Sequence, residues 1–169
     1  MPIHSLSKNN PVEDGRQSER ALNVRLGVER YFTKLSWASL PELSLKTGRR
    51  ADLVVLSPKG KIGIVEVKSS IADFRADNKW HEYQEFCDFF WFATLPDVPA
   101  DIFPDEIGFM IADQFGADIQ REAEELSVSA AMRKSMHLRF ARASALRLKR
   151  CVDHFGDANI QLVDADDAV

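Results

Sequence analysis

The stretch GRRADLVVLSPKGKIGIVEVKSS, Gly48–Ser70, predicts the centre of the fold. Two apolar runs rich in Val, Leu and Ile, Ala51–Leu56 and Lys61–Lys68, flank the letters SPKG. Proline presets the backbone at the first corner of a type I turn, and glycine supplies the left-handed residue that closes a three-residue loop. The stretch therefore predicts a β-hairpin.

The predicted loop sets the register of this hairpin and gathers three polar side chains on one face. If Ser57 faces Lys61 across the loop, Asp52 lies opposite Glu66, and opposed residues share a face of the sheet. Glu66 and Lys68 are two residues apart on one strand, so Lys68 shares that face. An otherwise apolar hairpin is thus predicted to carry two carboxylates and one ammonium group together.

This cluster predicts metal-assisted phosphodiester hydrolysis. Two facing carboxylates repel each other unless a positive charge lies between them. Mg²⁺ binds carboxylate, water and phosphate oxygens, and Mn²⁺ suits the same ligands. A neighbouring lysine orients water or neutralises charge on the phosphate. The predicted catalytic residues are Asp52, Glu66 and Lys68, with Asp52 and Glu66 as metal ligands. The simpler alternative is a structural ion pair between Glu66 and Lys68.

The same residues carry a family resemblance. Asp52 followed by EVK on the next strand resembles the core of the PD-(D/E)XK nuclease superfamily. The words GRRADLVVL, IVEVKSS and DF-x-x-D-x-KW-x-x-Y, the last beginning at Asp73, resemble the MmcB family of bacterial DNA repair proteins, with matching segments from about Glu42 to about Arg142. The resemblance implies a restriction-endonuclease-like fold, deoxyribonuclease activity dependent on Mg²⁺ or Mn²⁺, and DNA and other repair proteins as partners.

The resemblance also implies further site residues. The superfamily often takes a third acidic ligand from its first helix, and the candidates here are Glu29 and Glu42. Glu29 borders the apolar stripe of a predicted helix, where a solvated charge is the simpler interpretation. Related nucleases place a polar residue of the helix after the hairpin near the scissile phosphate, which suggests Lys79 and Tyr83 as DNA contacts.

Hydrophobic periodicity predicts the elements around the hairpin. Apolar residues spaced by threes and fours predict helices over Glu19–Leu35, Lys79–Ala93 and Val128–Phe155. Strands are predicted over Glu42–Lys46, Glu106–Asp113 and Asp118–Arg121, with Pro41 limiting the start of the first. Helices interspersed with strands in this order predict an α/β domain with a mixed β-sheet flanked by helices.

Basic residues near the cluster and in the last helix are the candidate DNA contacts. Arg49 and Arg50 lie just before Asp52 in the sequence and are predicted either to pair with nearby acids or to hold a DNA phosphate. Asp52, Glu66 and Lys68 together form the hairpin cluster. The last helix has seven Lys or Arg and no acidic residue from Leu126 to Val152. Its basic face is predicted either to contact the DNA backbone or to be solvated, and its apolar residues are predicted to pack on the core. The basic face comprises Arg139, Arg142, Lys149 and Arg150, and the apolar residues are Phe140, Leu148, Cys151 and Phe155.

The whole chain of 169 residues predicts one nuclease-like domain, residues 19–156, between a flexible arm, 1–18, and an acidic tail, 157–169. The two cysteines give no disulfide framework, and no apolar signal segment begins the chain, so we expect a cytoplasmic protein without membrane association. A net charge of −4 confines any DNA-binding surface to one region. The oligomeric state is left open. The alternative function is a catalytically inactive nuclease-like module that binds DNA or a repair partner.

Overall fold

A computed structural model describes residues 18–156 of the chain. The predicted acidic tail and all but the last residue of the predicted arm lie outside these residues. The helices are α1 (Glu19–Lys34), α2 (Ile71–Ala76) and α3 (Ala130–Phe155), with short 3-10 helices at Trp80–Phe86 and Ala100–Ile102. The strands are β1 (Ala38–Ser44), β2 (Arg50–Leu56), β3 (Ile62–Lys68), β4 (Phe89–Thr94), β5 (Gly108–Ala112) and β6 (Ala117–Arg121).

The six strands form one mixed sheet in the order β1-β2-β3-β4-β5-β6. The central strands β3, β4 and β5 are parallel, whereas β1, β2 and β6 join by antiparallel pairing. Helices cover both faces, so the predicted α/β class with a mixed sheet is confirmed and is consistent with a restriction-endonuclease-like fold. Within residues 18–156, no helix combines the length and apolar character needed to cross a bilayer.

The two faces of the sheet have separate cores. Helix α1 covers one face, where its Val24 and Val28 pack with Leu53 and Val65. The other face packs under the 3-10 helix Trp80–Phe86 and under the first half of α3. Side chains alternate between faces along a strand, so every second residue of β2 and β3 points away from α1. This alternation decides which elements can reach the hairpin cluster.

The predicted hairpin register is confirmed. Ser57 N–H donates to the Lys61 carbonyl at 2.9 Å, and Gly60 takes the left-handed backbone angle, with φ of 78°. The antiparallel ladder pairs Leu53 with Val65. One residue further along each strand, Asp52 of β2 and Glu66 of β3 therefore lie opposite each other.

The predicted helix over Lys79–Ala93 is wrong. The structure has the 3-10 helix Trp80–Phe86, a break at Asp88, and then strand β4. Strand β4 lies between β3 and β5 with five of its six residues buried. A parallel strand buried on both faces is apolar throughout, and the aromatic residues of this run happen also to match helical spacing.

The predicted start of the first strand is also wrong. Strand β1 begins at Ala38 rather than Glu42, and Pro41 lies inside it. Because β1 is an edge strand, a residue without an N–H is tolerated there. Glu42 adopts a left-handed φ of 55° within the strand.

The long helix α3 forms as predicted, but the predicted packing of its second half is wrong. Phe140 packs on the core together with Met136, whereas Leu148, Cys151 and Phe155 are exposed. The face toward the domain follows Met136 and Phe140. Residue 148 is rotated by roughly 80° from residue 140 at 3.6 residues per turn, which turns Leu148 out of this face, whereas Cys151 is rotated by only about 20° and its exposure is not explained by rotation.

Candidate active site

Asp52 on β2 and Glu66 on β3 face each other and exchange hydrogen bonds with the opposite backbone. The Asp52 N–H donates to Glu66 Oε1 at 3.1 Å, and the Val67 N–H donates to Asp52 Oδ2 at 2.9 Å. Both side chains lie on the face of the sheet that α1 does not cover, because they alternate with Leu53 and Val65. Each carboxylate is thus held in place through one oxygen and has a second oxygen for a ligand.

Lys68 completes the predicted cluster and contacts an acid that the sequence analysis missed. Its Nζ lies 4.0 Å from Glu66 Oε2 and 2.6 Å from Asp77 Oδ2. The other oxygen of Asp77 accepts the Lys79 N–H at 3.1 Å. Asp77 directly follows α2 and belongs to the DF-x-x-D segment that carries the family resemblance. No local pattern predicts which side chain reaches the ammonium group across a loop.

Burial is the main cause of the raised pKa values of the two carboxylates. It raises the pKa of Asp52 to about 6, against the opposing effects of the Val67 hydrogen bond and the Lys68 charge. Burial, followed by the charge of Asp52, raises the pKa of Glu66 well above its usual value. Burial alone would lower the pKa of Lys68, but the hydrogen bond to Asp77 and the charge of Glu66 outweigh it, so that pKa is raised. A cation between the carboxylates would relieve this cost.

The residues present fit a hard divalent cation bound largely through water. Among residues 18–156, no three Asp, Glu, His or Cys side chains converge as a ready-made metal cage. Mg²⁺ commonly binds through only one or two carboxylates and retains several waters or takes substrate phosphates. Asp52 Oδ1 and Glu66 Oε2 are the oxygens that would hold it.

The comparisons with known proteins identify the family of the chain. A family model described as DNA repair protein MmcB-like matches residues 8–155. The chain belongs to the MmcB-like family of DNA repair proteins. The match spans all the helices and strands of this MmcB-like protein, including the hairpin cluster and α3. Membership in this family points to a role in DNA repair.

The chain is also similar to a protein of known structure. The SPO1766 protein of unknown function from Silicibacter pomeroyi is 36% identical, with a TM-score of 0.79. The alignment covers 86% of the present chain and 99% of that protein. No curated protein matches the chain.

The two candidates for a third acidic ligand of the MmcB-like protein lie on different sides of the sheet. Glu29 pairs with Arg25 on α1, which covers the opposite face of the sheet, so the structure does not bring it to the cluster. The register of β1 and β2 places Glu42 opposite Asp52. The carboxylate of Glu42 pairs with Arg50, and its negative charge contributes to the raised pKa of Asp52.

The candidate DNA contacts around the hairpin are partly engaged within the protein. Arg49 pairs with Glu82, and its guanidinium lies 5.9 Å from the centre of the Tyr83 ring. Arg50 pairs with Glu42 of β1. The Tyr83 hydroxyl donates to the Arg50 carbonyl at 3.1 Å. Lys79 is exposed at the rim of the cluster, while Tyr83 is buried.

The basic residues of α3 divide into two groups. Arg147 donates to the backbone carbonyls of Pro41 and Glu42 in β1, and Arg139 donates to that of Ser44 at 3.4 Å. These contacts attach the helix to the edge of the sheet. Arg142 and Arg150 are exposed. Of the three α3 arginines predicted to contact DNA, one therefore contributes to attaching the helix.

Proposed function

We propose that this MmcB-like protein is a metal-dependent DNA nuclease of the PD-(D/E)XK type that hydrolyses phosphodiester bonds during DNA repair. The observation that carries the proposal is the pair of facing carboxylates, half-buried Asp52 and buried Glu66, beside Lys68. Both carboxylates have raised pKa values, which is the electrostatic condition that a bound cation relieves. Family membership supports DNA repair as the setting.

The proposed roles follow from the contacts of each side chain. Asp52 and Glu66 would hold Mg²⁺ or Mn²⁺, which supplies positive charge to a phosphate oxygen and a nucleophilic water. Asp77 keeps Lys68 protonated and oriented beside Glu66. A protonated Lys68 is suited to neutralising the charge that develops on the scissile phosphate rather than to accepting a proton.

Binding of DNA would involve the cations around this centre. Lys79 lies at its rim, and Arg49 would exchange Glu82 for a phosphate oxygen, since an exposed ion pair is worth little in water. Arg142 and Arg150 on α3 extend the proposed surface away from the cluster. In a chain with net charge −4, such contacts would give modest affinity that falls as salt rises.

Replacing Lys68 tests the catalytic assignment. Lys68→Ala should keep most DNA and metal affinity but lose cleavage by something on the order of 100-fold or more, as for a lost electrostatic stabiliser. Single-stranded, duplex, nicked and branched DNA should each be offered with Mg²⁺ and with Mn²⁺. Lys59→Ala is the matched control, because Lys59 is exposed in the hairpin loop at the other end of the strands.

The second candidate function is a nuclease-like module that binds DNA or a repair partner without cutting. It is favoured by the position of Glu29 across the sheet and by the pairing of Glu42 with Arg50, so that among residues 18–156 no third carboxylate joins Asp52 and Glu66 in a metal cage. If the parent protein binds DNA but cuts none of the four substrates with either metal, this function replaces the nuclease. If Lys68→Ala cuts as well as the parent, the role given to Lys68 is refuted.

A further inference from the structure

Helix α3 carries most of the large apolar side chains that the domain leaves exposed. Among the described residues, seven large apolar side chains are exposed, and four of them lie on α3. These are Leu138, Leu146, Leu148 and Phe155, exposed by 54%, 54%, 52% and 60%. Single exposed apolar side chains are ordinary on a protein surface, whereas exposed apolar side chains that form one continuous patch mark an interaction site. The spacing of these residues along α3 decides between the two.

Three of these four side chains belong to one regular stripe. Starting at Leu138, small or apolar residues recur at intervals of 3, 4, 3, 4 and 3 residues. The members of this apolar stripe are Leu138, Ala141, Ala145, Leu148, Val152 and Phe155. This alternation is the spacing by which one helix presents an apolar seam to another helix. Leu146 lies off the stripe.

The apolar stripe is not the face by which α3 packs on its own domain. Met136 and Phe140 are the buried residues of α3, and Arg147 donates to carbonyls of β1 from the same side. At 100° per residue, Leu138 and Ala145 lie roughly opposite this packed face. The helix therefore has two apolar faces, one buried in the domain and one on which Leu138 and Leu148 are exposed.

The charges beside the apolar stripe indicate what kind of helix it fits. Arg142 and Lys149 border it, with Lys149 paired to Asp153 one turn further along α3, and no other acidic residue occurs from Leu126 to Phe155. A second copy of α3 would add the same excess of cations, seven Lys or Arg against one Asp from Leu126 to Phe155, whereas acidic residues on a different helix would pair with them. Leucine side chains gain nothing from a DNA backbone, so the stripe is distinct from the basic face beside it.

We propose that the apolar stripe of α3 docks an amphipathic α-helix of another protein, whose apolar seam is bordered by Asp and Glu. Leu138 and Leu148 would be the principal apolar contacts, with the two alanines allowing close approach of the partner backbone. The surface lies outside the hairpin cluster, so the proposal does not depend on whether the protein cleaves DNA.

The test uses the full-length chain and two labelled synthetic helical peptides of about four heptads, with Leu at both seam positions. One peptide carries Glu at the flanking positions and the other Lys. Fluorescence anisotropy should show binding of the Glu peptide and much weaker binding of the Lys peptide. Leu148→Ser should weaken binding of the Glu peptide by about tenfold, from the loss of a half-exposed leucine contact.

The matched control is Leu146→Ser, which removes an equally exposed leucine of the same helix but off the stripe, and should bind like the parent. Thermal melting should be unchanged in both variants, because neither leucine is buried. Equal binding of both peptides, or equal losses in the two variants, would overturn the proposal. So would a dimer of the parent that Leu148→Ser dissociates, or a loss of duplex DNA affinity confined to Leu148→Ser.

Discussion

Replacing Asp52 by Asn should make the metal-free protein more stable, and the gain should depend on pH. Burial raises the pKa of Asp52 from 3.8 to about 6, so the folded state disfavours its ionised form. Below the unfolded value of 3.8 the carboxyl is protonated in both states and costs nothing. As pH rises from 3.8 to about 6, the unfolded state loses this proton while the folded state keeps it, so the free energy of unfolding falls. Above about 6 the carboxylate is ionised in both states, and the folded state carries the full cost of the buried charge.

The magnitude follows from the two pKa values. A difference between 3.8 and about 6 corresponds to about 3 kcal/mol at 1.36 kcal/mol per unit. Asparagine is uncharged and keeps an oxygen that can accept the Val67 N–H, so most of the cost should be relieved. For a chain of this size, about 3 kcal/mol raises the melting temperature by roughly 6–12 °C.

The assay is urea unfolding of parent and Asp52→Asn in EDTA at about pH 4 and about pH 8. We expect similar midpoints at the lower pH and a higher midpoint for the variant at the higher pH. Saturating Mg²⁺ or Mn²⁺ should narrow or reverse the difference at about pH 8, because only the parent keeps both ligands and gains stability by binding. A variant that is less stable than the parent in EDTA at about pH 8 would refute the reasoning.

Two further predictions concern α3. Asp88 is buried, accepts two hydrogen bonds from Arg133 and has a lowered pKa, so Asp88→Asn should cost about 2–3 kcal/mol near neutral pH. That cost should shrink as pH falls through the native pKa, as urea unfolding will show. Replacing exposed Arg142 and Arg150 by Ala should weaken binding of all DNA sequences and flatten its salt dependence, measured by anisotropy over a salt series. Unchanged slopes would place α3 outside the DNA interface.

The elements that the sequence predicted well are those fixed by local chemistry. The SPKG turn determines the loop, and the loop determines the register that opposes Asp52 and Glu66. Strand β4 was mispredicted because burial on both faces removes the alternation that identifies a strand. Its run of six residues, FFWFAT, is a strand because β3 and β5 lie on either side of it, and that neighbourhood is tertiary.

The candidate site was predictable only as far as the hairpin reaches. Asp52, Glu66 and Lys68 follow from register and alternation within one stretch of sequence. The pairing of Asp77 with Lys68 depends on the path of the loop around α2. The placement of Glu29 depends on which face of the sheet α1 covers, and periodicity gives the buried side of a helix without saying which face of a sheet receives it.

The central claim is that Asp52 and Glu66 together bind a divalent cation. The most direct test is anomalous diffraction from crystals soaked in Mn²⁺ at about pH 8, where both carboxylates release protons more readily. We predict an anomalous peak between Asp52 Oδ1 and Glu66 Oε2 in the parent and none there in Asp52→Asn. An occupied Mn²⁺ site elsewhere in the parent, with no peak between these two carboxylates, would contradict the account.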